Sequence, residues 1–383
     1  MIEFSENECC GCEACVQICP TNCISFSLDV KGFLYPKVDS ERCVGCHKCE
    51  RVCPYYHRSI STQLNQFAAF SDDLSLRMKS SSGGIFSLLS AKFLNKGGVV
   101  FGASFDESFS VIHSYIESDN ELSKLQGSKY VQSRIGNSFV LVRKYLEDSY
   151  PVLFSGTPCQ VCALQLFLGH DYPNLVTVEA FCHGVPSPMI WNDYLHSLIG
   201  KKRCKSVSFR DKTRYGWREY SYKVETEDNS ILYLNYGDNM YSDGFLSDLT
   251  IRPSCFNCPS KINNSQADIS IGDYWGVENN HKEIDDNLGC SAVVIHSLKG
   301  QVLFDSISCI KIQTRLEDII KGNPLIATSA PKPDKYDSFW EIYPDKGIKA
   351  IPICLGKNVR FYRKVINKTY SVLRYLKKCL FSQ

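Results

Sequence analysis

The sequence predicts an α+β protein in two unequal parts, a small cysteine-rich module followed by a larger mixed α/β domain. Three observations carry that reading. The chain has 383 residues, 44% of them hydrophobic, enough for two or three domains with a sizeable core. Twenty residues are cysteine, and ten of these fall within the first 53 positions. Beyond residue 66, short alternating segments and helix-periodic segments trade places.

The 43 basic and 41 acidic residues leave a formal charge of +2, so no global field draws the chain to polyanions, and a bulk nucleic-acid binder is excluded. Cysteine at this density means disulfides, zinc or iron-sulfur clusters. A disulfide framework needs an oxidising compartment, normally reached through a signal peptide. The start MIEFSENECC is acidic and shows no basic end followed by an apolar run, and no stretch of about 18 apolar residues occurs. The expectation is a cytoplasmic chain whose thiols are reduced and bound to metal.

Cys9, Cys12, Cys15 and Cys19, followed by Pro20, read C-x2-C-x2-C-x3-C-P; Cys43, Cys46, Cys49 and Cys53, followed by Pro54, repeat it. This is the bacterial ferredoxin run, in which the fourth cysteine of each run completes the other cluster. Two 4Fe-4S clusters are therefore expected, one on Cys9, Cys12, Cys15 and Cys53, the other on Cys43, Cys46, Cys49 and Cys19. Structural zinc sites pair two C-x2-C knuckles across a longer gap, so the third cysteine and the C-P ending speak for iron. Gly11 and Gly45 stand where each loop must fold around a cube. Cys10 and Cys23 are surplus and read as small buried residues. Between the runs, ISFSLDVKGFLYPKVD alternates around Lys31-Gly32 as a hairpin does. Residues 1–58 thus form a bacterial-ferredoxin-like domain, a one-electron wire that needs a donor and an acceptor.

After the polar linker HRSISTQLNQ, the pattern predicts a strand at QFAAFS and a helix from Gly84 to Asn95, with Ile85, Leu88, Leu89 and Phe93 at helical spacing. Strands follow at GVVFGASF and SVIHSYI, a helix over 137–149, a strand at PVLFSG, a helix from 158 and a strand at LVTVEAF. Residues 204–236 read as strand-rich, and those past 240 as loop up to the strand ADISIG.

Neither G-x-G-x-x-G after a strand nor G-x-x-x-x-G-K-[ST] is present, so an ordinary nucleotide site is not supported. Ser80, Ser81, Ser82, Gly83 and Gly84 enter a helix, which suits an anion cradle or, equally, a serine N-cap. SGTPCQ at a strand end would let a flat cofactor approach backbone amides, or is simply a tight strand-to-helix turn. FCHGVPSP places Cys182 and His183 after another strand, and Cys255 and Cys258 stand in C-x2-C spacing. Cys159, Cys182, Cys255 and Cys258 would close one further cube, a grouping that spacing alone does not establish.

In order, SSGGIFSLLSAKFL, GSKYVQS, SGTPCQVCALQ, FCHGVPSP and the segment ending in ADISIGDYWG resemble the coenzyme F420 hydrogenase/dehydrogenase beta-subunit family. The doubled cysteine run resembles the amino-terminal extension of its bacterial members, and the likeness spans residues 1 to about 300. The resemblance implies a bacterial-ferredoxin-like domain followed by a mixed α/β flavin-binding domain with a 4Fe-4S cluster close to FAD. It implies FAD contacts from Ser82, Gly83 and Gly84, from Lys129, Tyr130, Gln132 and Ser133, and from Gly156, Thr157 and Pro158. The third cluster would use Cys159, Cys182, Cys255 and Cys258. SFRDKTRYGWREY looks like a bacterial subgroup associated with surface-polysaccharide gene loci, which leaves the substrate open rather than fixed as the deazaflavin.

The implied organisation is a ferredoxin-type domain over 1–58, the two parts of the family domain over 66–200 and 201–355, and a tail over 356–383. The implied chemistry is electron transfer from a redox partner, such as ferredoxin or another oxidoreductase subunit, through the clusters to FAD and a small-molecule substrate, or the reverse. His183, Lys129 and Asp273 are the candidates for proton donation or substrate orientation; a turn cap for His183 and a structural acceptor for Asp273 are the plainer roles. Arg210, Lys212, Arg214 and Arg218 read as an anionic clamp or as a solvated loop with local ion pairs. The alternatives to an enzyme are a noncatalytic electron-transfer subunit and an iron-sulfur interaction protein without flavin. The tail carries eight basic residues and no acid, leaving −6 for the rest of the chain. It reads as a basic amphipathic helix for peripheral membrane contact or for packing on protein.

Overall fold

The computed structural model describes residues 5–57 and 60–357, so the expected tail helix lies outside the described residues from 358 onward. In the front module the repeated cysteine spacing is a repeated backbone. Gly11 (φ 68°) and Glu13 (φ 63°) of the first run match Gly45 (φ 64°) and His47 (φ 56°) of the second. Each left-handed pair leads into a short helix, Ala14–Ile18 and Lys48–Arg51. Strands β1 (Ile24–Leu28) and β2 (Leu34–Val38) form the expected antiparallel hairpin. The Asp29 carboxylate closes its turn by accepting from the amides of Lys31 and Phe33 at 3.0 and 2.7 Å.

The body is built on an eight-stranded sheet of β3 (Asn65–Phe70), β4 (Val99–Phe105), β5 (Val111–Ile116), β6 (Val152–Gly156) and β7 (Leu175–Ala180), with β11 (Ile269–Asp273), β12 (Ser291–Ile295) and β13 (Ile310–Gln313). A separate three-stranded sheet holds β8 (Cys204–Asp211), β9 (Ser221–Thr226) and β10 (Ile231–Asn235). The large sheet runs β13-β3-β12-β11-β7-β6-β4-β5, with β4, β6, β7 and β11 parallel neighbours. It therefore takes strands from both sides of residue 200.

Side chains of a strand alternate between faces, so β6 sends Val152 and Phe154 to one face and Leu153 to the other. Helices Ser138–Glu147 and Pro158–Leu168 cover the first face with Phe139, Val142, Val161 and Leu164. Helix Ile85–Leu94 covers the second with Ile85, Leu89 and Phe93. A third core lies between the small sheet and helices Pro188–Ile199, Met240–Leu246 and Tyr336–Lys346, around Trp191, Phe209, Tyr241 and Phe339. Helix Met240–Leu246 corrects the loop expected past residue 240. Asn239 caps it by accepting from the amides of Tyr241 and Ser242, and a mid-helix Gly244 packed on Ile351 and Thr250 interrupts the pattern that would have revealed it. Among the described residues no helix is long and apolar enough to cross a membrane.

The front module shares the body's core: Cys12, Ala14 and Val52 pack with the helices on the first face of the sheet. Polar contacts set its orientation. The buried Glu13 carboxylate accepts from the amides of Ile135 and Gly136 at 3.1 and 3.0 Å and from Arg134 Nε at 2.9 Å. Gln17 accepts from the Phe139 amide at 3.1 Å, and Ser187 donates to the Lys31 carbonyl at 2.6 Å. Arg252 has no exposed surface. It donates to the Cys9 carbonyl at 2.6 Å, the Leu34 carbonyl at 2.9 Å and Gln132 Oε1 at 3.0 Å, and reaches Cys9 Sγ at 3.6 Å.

Gly11 and Gly45 separate two demands on glycine. Both have positive φ, but a β-carbon on Gly45 meets open space, whereas one on Gly11 lies 2.5 Å from Gln132 Nε2 and 2.9 Å from Arg252 Nη1. Gly45→Ala is expected to cost about 1–2 kcal/mol from backbone strain. Gly11→Ala should lose about 1–3 kcal/mol more from overpacking in anaerobic denaturation, and equal losses would contradict this docking. Arg252→Met strands three buried acceptors and should cost about 3–5 kcal/mol, with Arg252→Lys losing less; unchanged unfolding midpoints would show that the guanidinium does not hold the module.

Candidate functional site

The segments singled out in the sequence meet at one edge of the large sheet. Gly156 at the end of β6 stands opposite Glu179 of β7, Ala180 opposite Ile271 of β11, Asp273 opposite Ser291 of β12, and Ser291 opposite Ala69 of β3. This is the edge at the carboxyl ends of the parallel strands, where open α/β sheets leave a crevice for ligands.

Every cysteine among the described residues is a free thiol. In the front module, Cys12 lies within electrostatic reach of Cys15 and Cys53, and Cys15 within reach of Cys9, Cys53 and Cys49. Burial, then the backbone and these neighbours, put the Cys53 thiol at about 11. A second group lines one cavity: Cys19, Cys43, Cys46 and Cys49, with Cys23 beside them at 3.4 Å from Cys19 Sγ. The cysteines that the crossed ferredoxin pattern groups together thus lie near one another.

A third group forms at the sheet edge. Cys159 is the second residue of helix Pro158–Leu168, Cys182 follows β7, and Cys255 and Cys258 lie on and just after the turn Pro253–Asn257. Burial and the thiols of Cys255, Cys159 and Cys258 push Cys182 well up; burial and Cys258 push Cys255 to about 12. Lys261 stands beside them, donating to the carbonyls of Cys182 at 3.4 Å and Leu325 at 2.8 Å. Buried thiols that repel one another as thiolates suit a group of iron cations, which relieves that repulsion. Among the described residues no group of three or more His, Cys, Asp or Glu side chains is gathered to hold a single metal ion. A 4Fe-4S cube makes a different demand, since each thiolate binds its own iron at a separate corner.

Two cysteines given no metal role in the sequence stand between the front module and this third group. Cys10 lies beside both Cys12 and Cys159. Cys162, one helical turn after Cys159, lies within electrostatic reach of Cys159 and Cys258 on one side and Cys53 on the other. Its C-x2-C spacing from Cys159 was the available signal, because residues three apart share a helix face. Arg252 and Lys261 had no sequence signal; a lone cation shows its partner only when folded.

The other predicted residues divide by what they touch. Ser82 Oγ donates to the Cys290 carbonyl at 2.8 Å, the Gly83 amide donates to Ser291 Oγ at 3.0 Å, and Gly84 caps helix Ile85–Leu94. Ser81 accepts from the Ser128 amide at 2.7 Å, tying this turn to the 128–133 segment. Lys129 is half-buried beside Phe105; burial lowers its ammonium to about 7, while Nζ lies 3.0 Å from the Gln126 carbonyl and 3.1 Å from that of Gly127. Tyr130 accepts from Arg210, and Ser133 accepts from Gln160 at 3.0 Å. Gln132 spends its amide on Cys10 and Arg252. Thr157 caps helix Pro158–Leu168 in a reciprocal box with Gln160, with Pro158 at the first helical position and Gly156 just ahead.

His183 Nε2 lies 2.5 Å from Asp248 Oδ1, and its ring packs on Phe245. Asp273 is committed elsewhere: its carboxylate accepts from both terminal nitrogens of buried Arg210 and from Trp217 Nε1 at 2.7 Å. The basic segment forms ion pairs within the protein, as the plainer reading expects, and two of its cations are buried. Lys212 donates to the carbonyls of Arg77, Ser82 and Leu288, Arg218 pairs with Asp285 and Glu278, and Arg214 lies over the Tyr233 ring.

Two family models match the chain. Residues 8–56 match a 4Fe-4S dicluster domain, and residues 151–318 match the carboxy-terminal part of the coenzyme F420 hydrogenase/dehydrogenase beta subunit. The segments SGTPCQVCALQ, FCHGVPSP and the Cys255–Cys258 pair lie inside the second match; SSGGIFSLLSAKFL and GSKYVQS precede it. No curated protein matches the chain. Among solved structures, a chain of the F420-reducing NiFe hydrogenase complex from Methanosarcina barkeri is similar over 82% of this chain and 93% of that chain, at 17% identity and a TM-score of 0.47. The front thiol groups thus fall within the part of the chain similar to a 4Fe-4S dicluster domain, and the third thiol group within the part similar to the carboxy-terminal region of the coenzyme F420 hydrogenase/dehydrogenase beta subunit.

Proposed function

We propose that this chain is an iron-sulfur flavoprotein oxidoreductase. It would hold three 4Fe-4S clusters in a row and an FAD beyond them, and exchange electrons with a small organic substrate. The observation that carries the reading is the continuity of the thiols. Cys15 faces Cys49 between the two front groups, and Cys10 joins Cys12 to Cys159 between the front module and the third group. The row begins beside Val44, which is 67% exposed, and ends beside His183 at the sheet edge. Clusters there would supply one-electron storage, and FAD would supply conversion between single electrons and a hydride.

The chain's own residues set the conditions. Arg252 and Lys261 place positive charge beside Cys9, Cys255 and Cys182, which would favour added electrons on clusters held by those cysteines. Ser82, Gly83 and Gly84, Lys129 to Ser133, and Gly156 to Pro158 frame the crevice proposed for FAD. His183 and Lys129 are the groups suited to hold or pass a proton there, since Asp273 already neutralises Arg210. The substrate's class is set by whatever fills that crevice; a role in surface-polysaccharide metabolism is the reading suggested by SFRDKTRYGWREY.

A second reading, a noncatalytic electron-transfer subunit docked on a partner oxidoreductase, has its own observation. The front module exposes Leu28, Val30, Val44 and Tyr56, and Val44 lines the cavity of the outer thiol group, which suits a redox partner. Anaerobic purification should give about twelve irons and one FAD per chain, and Cys258→Ser should lose about four irons while keeping the front-module signals. About eight irons in the unaltered chain would remove the third cluster, and absence of FAD would remove the flavin. Flavin reoxidation that depends on a partner protein rather than on a small molecule would decide for the second reading.

A further inference from the structure

Glu179 is 2% exposed in the middle of the large sheet, with no catalytic or ligand role assigned above. Its Oε1 accepts from Ser270 Oγ on β11 at 2.6 Å, while its Oε2 has no hydrogen-bond partner among the described residues. Ser270 Oγ lies 2.7 Å from His296 Nε2, and His296 Nδ1 lies 3.0 Å from Ser61 Oγ. Ser61 belongs to the linker between the front module and β3, held by its amide to the Asn263 carbonyl at 2.8 Å, and Thr62 next to it is exposed. Four side chains from four separate segments thus make an unbroken hydrogen-bonded line from the surface linker to a buried carboxylate.

Each middle member can accept a proton on one side and release it on the other. With Glu179 ionised, Ser61 donates to Nδ1, Nε2–H donates to Ser270, and Ser270 donates to the carboxylate. With Glu179 protonated every bond reverses: the carboxyl donates to Ser270, Ser270 to Nε2, and Nδ1–H to Ser61. At the inner end Glu179 lies within electrostatic reach of Cys162 and Cys258 and three positions before Cys182.

We propose that Ser61, His296, Ser270 and Glu179 form a proton path, and that Glu179 takes up one proton when the neighbouring Cys159, Cys182, Cys255 and Cys258 group gains one electron. This rests on the reading of those cysteines as cluster ligands. The electron comes from a low-potential one-electron donor, and the proton comes from bulk water, converting the carboxylate to the acid; oxidation returns both. A charge added inside a water-poor region is costly unless a counter-charge arrives with it, and a carboxylate without a cation partner is the group placed to accept one. Burial holds Glu179 near 7, so both of its states are within reach at neutral pH. The titratable groups around it are His296 through Ser270, Cys162 and Cys258, and Asp268, whose carboxylate is taken up by Thr177 and Ser297. Among the described residues no cation is paired with it.

The test uses the holoprotein, with irons counted first. In an EPR-monitored titration with dithionite, the potential of the cluster lost in Cys258→Ser should be flat well below pH 7. Above pH 7 it should fall by about 59 mV for each tenfold drop in proton concentration. Glu179→Gln should flatten that slope. Ser270→Ala should keep the slope but slow, at least tenfold, the appearance of the protonated carboxyl in infrared difference spectra after rapid reduction. The full iron count with a pH-independent potential would overturn the proton uptake alone; an unslowed Ser270→Ala protein would overturn the path. A count near eight would overturn the cluster reading and this inference with it.

Discussion

One buried cation holds the architecture together. The Arg252 guanidinium stands between the first cysteine of the chain and the turn that carries Cys255, with its donors satisfied by the Cys9 and Leu34 carbonyls and Gln132. A guanidinium without exposed surface is tolerable only where acceptors and negative charge surround it. Carbonyl and amide acceptors supply such surroundings here, with Cys9 of the module and Cys255 of the body on either side of the charge. The Tyr35 ring packs against the same guanidinium at 4.2 Å, so the hairpin β1-β2 is drawn into the joint. If this contact shifts, the line from Cys49 through Cys15 and Cys10 to Cys159 is broken.

The sheet supplies the second half of the geometry. Parallel strands β6, β7 and β11 end at one edge, so turns far apart in sequence deliver Cys159, Cys182 and the crevice residues to a single place. The same strands keep the region dry, because the apolar residues of β6 and β7 are buried on both faces under helices, with Thr177 and Glu179 enclosed among them. Dryness is what makes isolated charges such as Glu179 costly and paired ones such as Arg210 with Asp273 persistent.

Metal ligation was the most legible feature, since a cube imposes fixed spacing on the chain that carries its corners. The strand alternation at GVVFGASF and PVLFSG was legible for a similar reason: the period of two survives in the sequence whatever the strand pairs with. What resisted reading was everything that depends on a distant partner. Glu13 finds the Ile135 and Gly136 amides more than 120 positions away, and Arg210 finds Asp273 63 positions away. The basic run therefore left a ligand clamp and local ion pairs equally open, because the acids that pair Arg210 and Arg218 lie some 60 positions on. Gln132, a cofactor contact by resemblance, has a second partner that no spacing reveals, since its amide meets the front module.

The crossing of the cysteine runs has a consequence for how the protein is made. Because Cys53 completes the group begun by Cys9, and Cys19 completes the group of Cys43, neither set is whole until the entire first segment has left the ribosome. Arg252 and Cys258 emerge about 200 residues later. At roughly 5–20 residues per second that is an interval on the order of 10–40 s. Throughout it the front module must shield its own thiols, including Cys12 and Cys53, which the finished protein buries against the body. The short left-handed loops and the hairpin beside them then serve a second purpose, as a scaffold that holds the ligands in order before the rest of the chain exists.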